Sequence, residues 1–355
     1  LRSPSAPTGA VLLPARLSSR STEAVPEGQR TPRGFGACRL DGEDAGPKLT
    51  WNRPKAARGW RGGRLRFTVA LDFREVRQVE AVLARSGDLL GAFDVRFAYA
   101  FQPFELVLTG SQAEAAVQQG VILRPGSGTL PLWIFDDTNR EGGREYFAPH
   151  LLLDDGHGDK RAAFADRMTS YASLQPFGWL EGCVLDGLQD MARSGKYPKA
   201  KAMLDAHLAQ FIDPDGLLVS EDLRSRPVRN TFPGIEYTLP VAVIAEQKPG
   251  HAIQGLAMDF WDARRREGGI ICDGMTATAE GSYTIGYPLA VIAAQTQRED
   301  LAEGAVRQIL ARVELLPFGS DLYLHCPLDG GGRTFRNWAR AYAWYMLGLT
   351  RVWGV

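Results

Sequence analysis

The feature that most constrains this chain is an internal echo. The segment LPVAVIAEQ, Leu239 to Gln247, returns 48 residues later as YPLAVIAAQ, Tyr287 to Gln295. At the same offset Ala257, Met258, Ala263 and Arg264 return as Ala305, Val306, Ala311 and Arg312. A fixed period of this length marks supersecondary units that stack on one another. Each unit pairs a nearly all-apolar segment with an amphipathic one. Pro240 and Pro288 fit the first turn of a helix, where no backbone N–H is needed. The unit therefore reads as a helical hairpin with a buried inner helix and a half-exposed outer helix. Hairpins are expected to start near Gly178, Thr238, Tyr287 and Asn337. His207 falls on the apolar stripe that runs from Met203 to Ile212, so it reads as a core histidine rather than a base. The last segment, Trp338 to Leu349, is apolar nearly all round and reads as a buried inner helix. Its outer partner has no place before Val355. The expectation for 159–355 is an incomplete toroid of helical hairpins that leaves an apolar flank of this last helix open.

The period changes upstream. In RLRFTVALDF, Leu65, Phe67, Val69 and Leu71 alternate, and in AFDVRFAYAF so do Phe93, Val95, Phe97, Tyr99 and Phe101. FELVLT, VILRPG and LPLWIF are further short strands, and Ser111 is placed to cap a helix closed by Gly120. Residues 62–158 are thus expected to form an antiparallel β-sandwich, with core aromatics favoured over sugar-stacking roles for Tyr99 and Trp133. A polar connector ends near Gly158. Residues 1–61 are rich in Pro, Gly, Ser and Arg and read as poorly ordered or irregular. The fold class is α+β and multidomain.

Lysine plus arginine number 41, as do aspartate plus glutamate, so no global field draws nucleic acid or membrane. Any grip on an acidic ligand must come from a local arginine cluster. No apolar run spans a bilayer, and GAVLL is too short for a signal core. A cytoplasmic location is the expectation, with a true start upstream of Leu1. The four cysteines, Cys38, Cys183, Cys272 and Cys326, lack metal-ligand spacing and read as structural thiols. No metal or cofactor is expected, and the oligomeric state is not legible.

One carboxylate, Asp329, stands beside three glycines between a short apolar run and the last helix, with Arg333, Arg336 and Arg340 following. This stretch, with His325, Trp338-Ala339-Arg340 and Trp344, resembles the aspartate turn and W-A-R-G-N-x-W segment of the unsaturated uronyl hydrolases, glycoside hydrolase families 88 and 105. It departs at Ala341 and Tyr342, where the families have Gly-Asn. The resemblance covers the C-terminal half. It implies an (α/α)6 barrel and a hydrolase that adds water across the C4=C5 enol ether of an unsaturated uronic acid. It places the proton donor at Asp329, for which Asp329→Asn is expected to abolish most turnover. It places the second acid at Glu280, which precedes Tyr283 by three residues, with Asp273 the competitor. Arg333, Arg336 and Arg340 are expected on the substrate carboxylate, and Trp338, Trp344, Tyr283 and His325 along the sugar. Glu236, Glu280, Asp273 and Asp329 all precede inner helices, whose starts open at one end of a toroid. The partner expected is an oligosaccharide carrying an unsaturated uronic acid. Two other readings stand beside this one. One is another toroid enzyme, either a two-carboxylate glycosidase or a polysaccharide lyase; the other is a non-catalytic carbohydrate-binding scaffold.

Overall fold

The computed structural model describes residues 10–18, 24–40, 46–52, 60–136, 138–139, 141–154 and 159–355. The expected boundary at Gly158 lies outside these residues. Helix and sheet are both abundant, as an α+β chain requires. Two compact units are present: Leu1–Pro176 with Lys196–Met203 and Glu221–Pro227, and Phe177–Gly195 with Leu204–Ser220 and Val228–Val355.

The first unit holds two larger antiparallel sheets. One runs Ala10–Pro14, His150–Asp154, Gly62–Thr68, Pro103–Thr109; the other runs Arg16–Leu17, Lys48–Thr50, Val121–Pro125, Val76–Leu83, Leu89–Arg96. Their inward residues share one core: Leu65, Phe67 and Leu151 from the first, Val79, Phe93, Val95 and Leu123 from the second. Strands at Ala10–Pro14, Ala37–Leu40 and Lys48–Thr50 belong to the segment expected to be irregular. Helix α1 (Gly110–Gln119) is capped by Thr109, not Ser111, in a capping box with Gln112. Trp133 is buried, while Tyr99 is exposed beneath the guanidinium of Arg74, 4.0 Å from the ring centroid. Helix α2 (Lys160–Met168) closes the helices of this unit that precede the hairpins.

The remaining helices are α3 (Trp179–Arg193), α4 (Ala200–Phe211), α5 (Pro240–Gln247), α6 (Ala252–Asp262), α7 (Tyr287–Thr296), α8 (Glu299–Leu315) and α9 (Ala339–Gly354). Both echoed segments are helical, and each has its proline in the first turn. In the second unit α5 packs between α3 and α7, and α7 between α5 and α9. Every residue from Pro240 to Ala245 and from Tyr287 to Ala293 is buried, as befits helices with neighbours on all sides. Helices α6 and α8 pack on α5 and α7 and bury one face each; on α8 that face is Leu301, Ala305, Gln308, Ile309 and Arg312. His207 is fully buried, its Nδ1 2.8 Å from the buried Glu181 carboxylate.

Helix α9 is covered on one face only, and its open flank is the one the hairpin count leaves without a partner. Ala341, Trp344 and Gly348 are buried, whereas Met346, Leu347 and Trp353 are exposed, Trp353 at 93%. The buried face meets a π-helical turn, Ser282–Gly286, that leads into α7. A Cβ at Gly348 would lie 2.4 Å from the Ser282 backbone, so only glycine permits this crossing. Gly348→Ala should therefore force α9 off the turn and destabilise the protein by about 1–3 kcal/mol, measured as a lower denaturation midpoint. Among the described residues no helix is long and apolar enough to cross a membrane.

Candidate functional site

A three-residue strand, Thr276–Thr278, pairs with Asp321–Pro327, which pairs in turn with Thr334–Arg336. Register sets Thr278 opposite His325, and His325 opposite Thr334. The His325 Nδ1 lies 3.2 Å from the Thr334 hydroxyl. Two residues beyond Thr278 comes Glu280, at the entry to the π-helical turn. A 3₁₀ turn, Ile235–Thr238, carries Glu236 into α5 in the same manner. The two turns are tied together: the buried Thr238 hydroxyl donates to the Thr284 carbonyl at 2.6 Å, and Thr284 Oγ1 donates to the Glu280 carbonyl at 3.1 Å. Helices α5 and α7, packed side by side, thus present their first residues at one place.

That place is a cavity of about 210 Å³ lined by Trp179, Ile235, Glu236, Asp273, Thr278, Glu280, His325, Arg340 and Trp344. Three carboxylates share it with one guanidinium. Burial raises the Glu236 carboxyl above its usual range, and the nearby Asp273 and Glu280 charges push the same way. Glu280 Oε2 is buried with no hydrogen-bond partner among the described residues. Such an orphaned acceptor costs stability unless a ligand or solvent meets it. Trp179 and Trp344 meet edge to face, centroids 5.2 Å apart, and form the apolar wall. Arg340 stacks over Trp338 at 4.0 Å and lies 5.9 Å from the Trp179 centroid. Among the described residues it makes no ion pair, which leaves its planar fork of donors open to an anion. Pocket geometry of this kind suits a small ring bearing a carboxylate. It offers a carboxyl with a raised pKa, carboxylates beside it, a cation and aromatic faces.

A larger groove of about 900 Å³ lies along α8; Glu267, Glu299, Glu303, Glu314 and Arg307 line it beside Val306 and Leu310, but it has no aromatic wall.

The structure gathers Glu280, Asp273, His325, Arg340 and Trp344 from the residues expected at the site, together with Glu236 and Trp179. It leaves others apart. Asp329 is exposed in the glycine turn after Asp321–Pro327, its carboxylate accepting the Gly331 N–H at 3.2 Å, and it does not line the cavity. Arg333 donates to the Leu315 carbonyl at 3.0 Å and Arg336 pairs with Asp321 at 3.4 Å, both away from the cavity. Trp338 supports Arg340 from behind. Tyr283 is buried and donates its hydroxyl to Asp186, as Tyr287 does at 3.1 Å. The Asp186 cluster is hard to see in the sequence because its partners, Tyr283, Tyr287 and Arg351, lie about a hundred residues or more away on a turn and two helices. Only the inward position of Asp186 between Leu185 and Leu188 signals it.

Glu236→Gln gives a direct reading of this electrostatic picture. A carboxyl whose folded pKa is raised contributes stability below its unfolded value of 4.5, and loses it as pH rises through the folded value. Replacement by a neutral amide should therefore raise the melting temperature at pH 8, with the gain vanishing toward pH 4.

No family model matches the chain, and no curated protein matches it. Among solved structures, the chain is similar to a glycoside hydrolase from family 105 of C. acetobutylicum ATCC 824, with a TM-score of 0.45 and 16% sequence identity. The match covers 54% of this chain and 59% of that one.

Proposed function

We propose that the chain is a hydrolase of the unsaturated uronyl type, acting on an oligosaccharide whose terminal uronic acid carries a C4=C5 double bond. The observation that carries this reading is the convergence of Glu236, Asp273 and Glu280 with Arg340 in one aromatic-walled cavity. On this reading the first unit is a β-sandwich and the hairpins are an arc of an (α/α) toroid, with the cavity at the end where inner helices begin.

Protonating an enol ether needs an acid that keeps its proton near neutral pH. Burial and two like charges move the Glu236 carboxyl in that direction. We assign it the proton that goes to the double bond. Glu280, with its unpartnered oxygen, takes the proton from the attacking water. The hemiketal so formed opens, and the glycosidic bond breaks. Arg340 holds the uronate carboxylate, and Trp179 and Trp344 flank the ring. Asp273 keeps the local charge negative, which sustains the proton on Glu236. On this reading the donor is Glu236 rather than Asp329, which is exposed in the glycine turn and is not among the residues lining the cavity.

His325 and Arg340 on one cavity also favour a second reading, a lyase in which the histidine removes the proton alpha to a uronate that Arg340 neutralises. Ultraviolet absorbance decides between them. A hydrolase bleaches the absorbance of a 4,5-unsaturated disaccharide; a lyase creates that absorbance from a saturated polymer. A folded chain that does neither overturns both.

A further inference from the structure

The echo pairs Arg264 with Arg312, and the two residues have parted company. Arg264 is half-buried; its guanidinium stacks on Phe260 at 3.6 Å from the ring centroid and reaches the Phe260 carbonyl. Arg312 is fully buried. It reaches inward from α8 and donates to the Thr278 carbonyl at 2.8 Å, the Ile271 carbonyl at 2.8 Å and the Gln308 carbonyl at 3.0 Å. Gln308, also buried, completes the arrangement by accepting from the Ile271 N–H at 2.8 Å and donating to the Gly269 carbonyl at 2.9 Å.

The two carbonyls held by Arg312 bracket the segment that carries Asp273, and Thr278 is two residues before Glu280. A Cβ on Gly281 would lie 2.0 Å from Arg312 Nη2, so the guanidinium is pressed against the backbone immediately after Glu280. Among the described residues no carboxylate pairs with Arg312 directly. A fully buried cation is costly, and carbonyl acceptors alone offset that cost only in part. A hydrophobic side chain would pack this spot without the cost. What the cation adds is a rigid fork and a positive field at the back of the cavity.

We propose that Arg312 is a positioning residue for the cavity: it fixes the segment bearing Asp273 and Glu280 and supplies the positive charge behind Glu280. The proposal rests on the functional reading above only for its consequence in turnover; its own content concerns geometry and charge. Glu280 shares the cavity with Glu236, Asp273, His325 and Arg340, and Arg312, which also interacts with Cys272, lies behind it. Burial draws the Arg312 guanidinium down to about 10, which still leaves it charged at neutral pH, and Glu280 counteracts that fall. The placement of Asp273 and Glu280 in the cavity then depends on a residue that never touches the ligand.

The test is a titration of the Glu280 side-chain carboxyl carbon by nuclear magnetic resonance, assigned with Glu280→Gln, in the whole chain without sugar. Arg312→Gln should move the Glu280 midpoint upward by about one unit, and Arg312→Lys, which keeps the charge, by only a few tenths. Amide exchange in Ile271–Thr278 should quicken in both, since neither substituent spans the two carbonyls. Should Arg312→Gln fail to fold, Gly281→Ala carries the same test, because the added methyl displaces the guanidinium without deleting it. An unchanged Glu280 midpoint in the folded neutral or displaced variant overturns the proposal, as does equal behaviour of Arg312→Lys and Arg312→Gln. None of these readouts uses substrate. A wild-type chain inert toward unsaturated sugars would therefore sink the hydrolase reading while the titration still decides the role of Arg312.

Discussion

Glu280→Gln is expected to lower turnover of a 4,5-unsaturated disaccharide by on the order of a hundred- to ten-thousand-fold, the range for loss of a general acid–base group. KM should change little, because the amide keeps the size of the carboxylate and Arg340 still meets the substrate. The argument runs from geometry. Glu280 is held by the short strand Thr276–Thr278 and by the turn into α7, so its carboxyl is aimed by backbone rather than by a flexible loop. One of its oxygens is buried without a hydrogen-bond partner among the described residues, which is the condition of an acceptor waiting for a proton. Asp329→Asn, in the exposed turn, is the control and should leave turnover within about twofold of wild type, as a surface substitution outside the site does. Loss of the sugar's absorbance measures all three proteins, with melting curves to confirm that each is folded. Equal turnover by wild type and folded Glu280→Gln would exclude Glu280 from the chemistry.

The contrast between Glu280 and Asp329 shows what the sequence can and cannot say about such a site. Both precede an inner helix and both have glycine next to them. Asp329, however, is followed by three glycines, and its carboxylate is used by the turn itself through the Gly331 N–H. Aspartate in that setting is turn chemistry before it is catalysis. Glu280 is followed by one glycine and then a buried run, Ser282 to Gly286, so its turn is enclosed by packing. The number of glycines and the burial of the next five residues therefore distinguish the two, although proximity to arginines pointed to Asp329. Those arginines serve local partners in the case of Arg333 and Arg336; only Arg340, on the first turn of α9, reaches the cavity.

For the fold, the period carried most of the information. The apolar echo located α5 and α7 to within a residue at their starts, because a helix buried on all sides leaves no polar position to confuse the pattern. Strand Val76–Leu83 was invisible for the opposite reason. Its inward residues are Arg77, Val79 and Ala81, and the buried Arg77, paired with Glu75, puts a charge where alternation demands an apolar side chain. Helix α9 shows the limit of composition, its open flank being the one the hairpin count left without a partner. Its composition is that of a buried helix, yet one side is exposed. Composition reports which residues tolerate burial and is silent on whether a neighbour is there to bury them.

Removing Asp186 is expected to cost about 3–5 kcal/mol of stability, as loss of one partner from a buried charged network does. Asp186 is on α3, with 2% of its surface exposed. It accepts from the Tyr283 hydroxyl and, at 3.1 Å, from the Tyr287 hydroxyl; its other contact is Arg351 of α9 at 2.9 Å. One carboxylate thus joins α3, the turn into α7, α7 itself and α9. Burial raises its pKa, against the pull of Tyr283 first and Arg351 next. The two phenols are held above their usual range by burial and by the Asp186 charge, so they remain donors at any ordinary pH. Asp186→Ala strands two buried hydroxyls and opens a void between stacked rings, since Tyr283 and Tyr287 lie 5.7 Å apart and nearly parallel. Asp186→Asn should cost less, because its amide oxygen still accepts one phenol. Asp190→Ala is the matched control: Asp190 binds the same Arg351 at 2.6 Å but is exposed, and such pairs contribute about 0–1 kcal/mol. Urea midpoints at pH 7 would rank the three variants. If Asp186→Ala were no worse than Asp190→Ala, the network would be packing with incidental polar contacts, and the inner helices would be held together by their apolar faces alone.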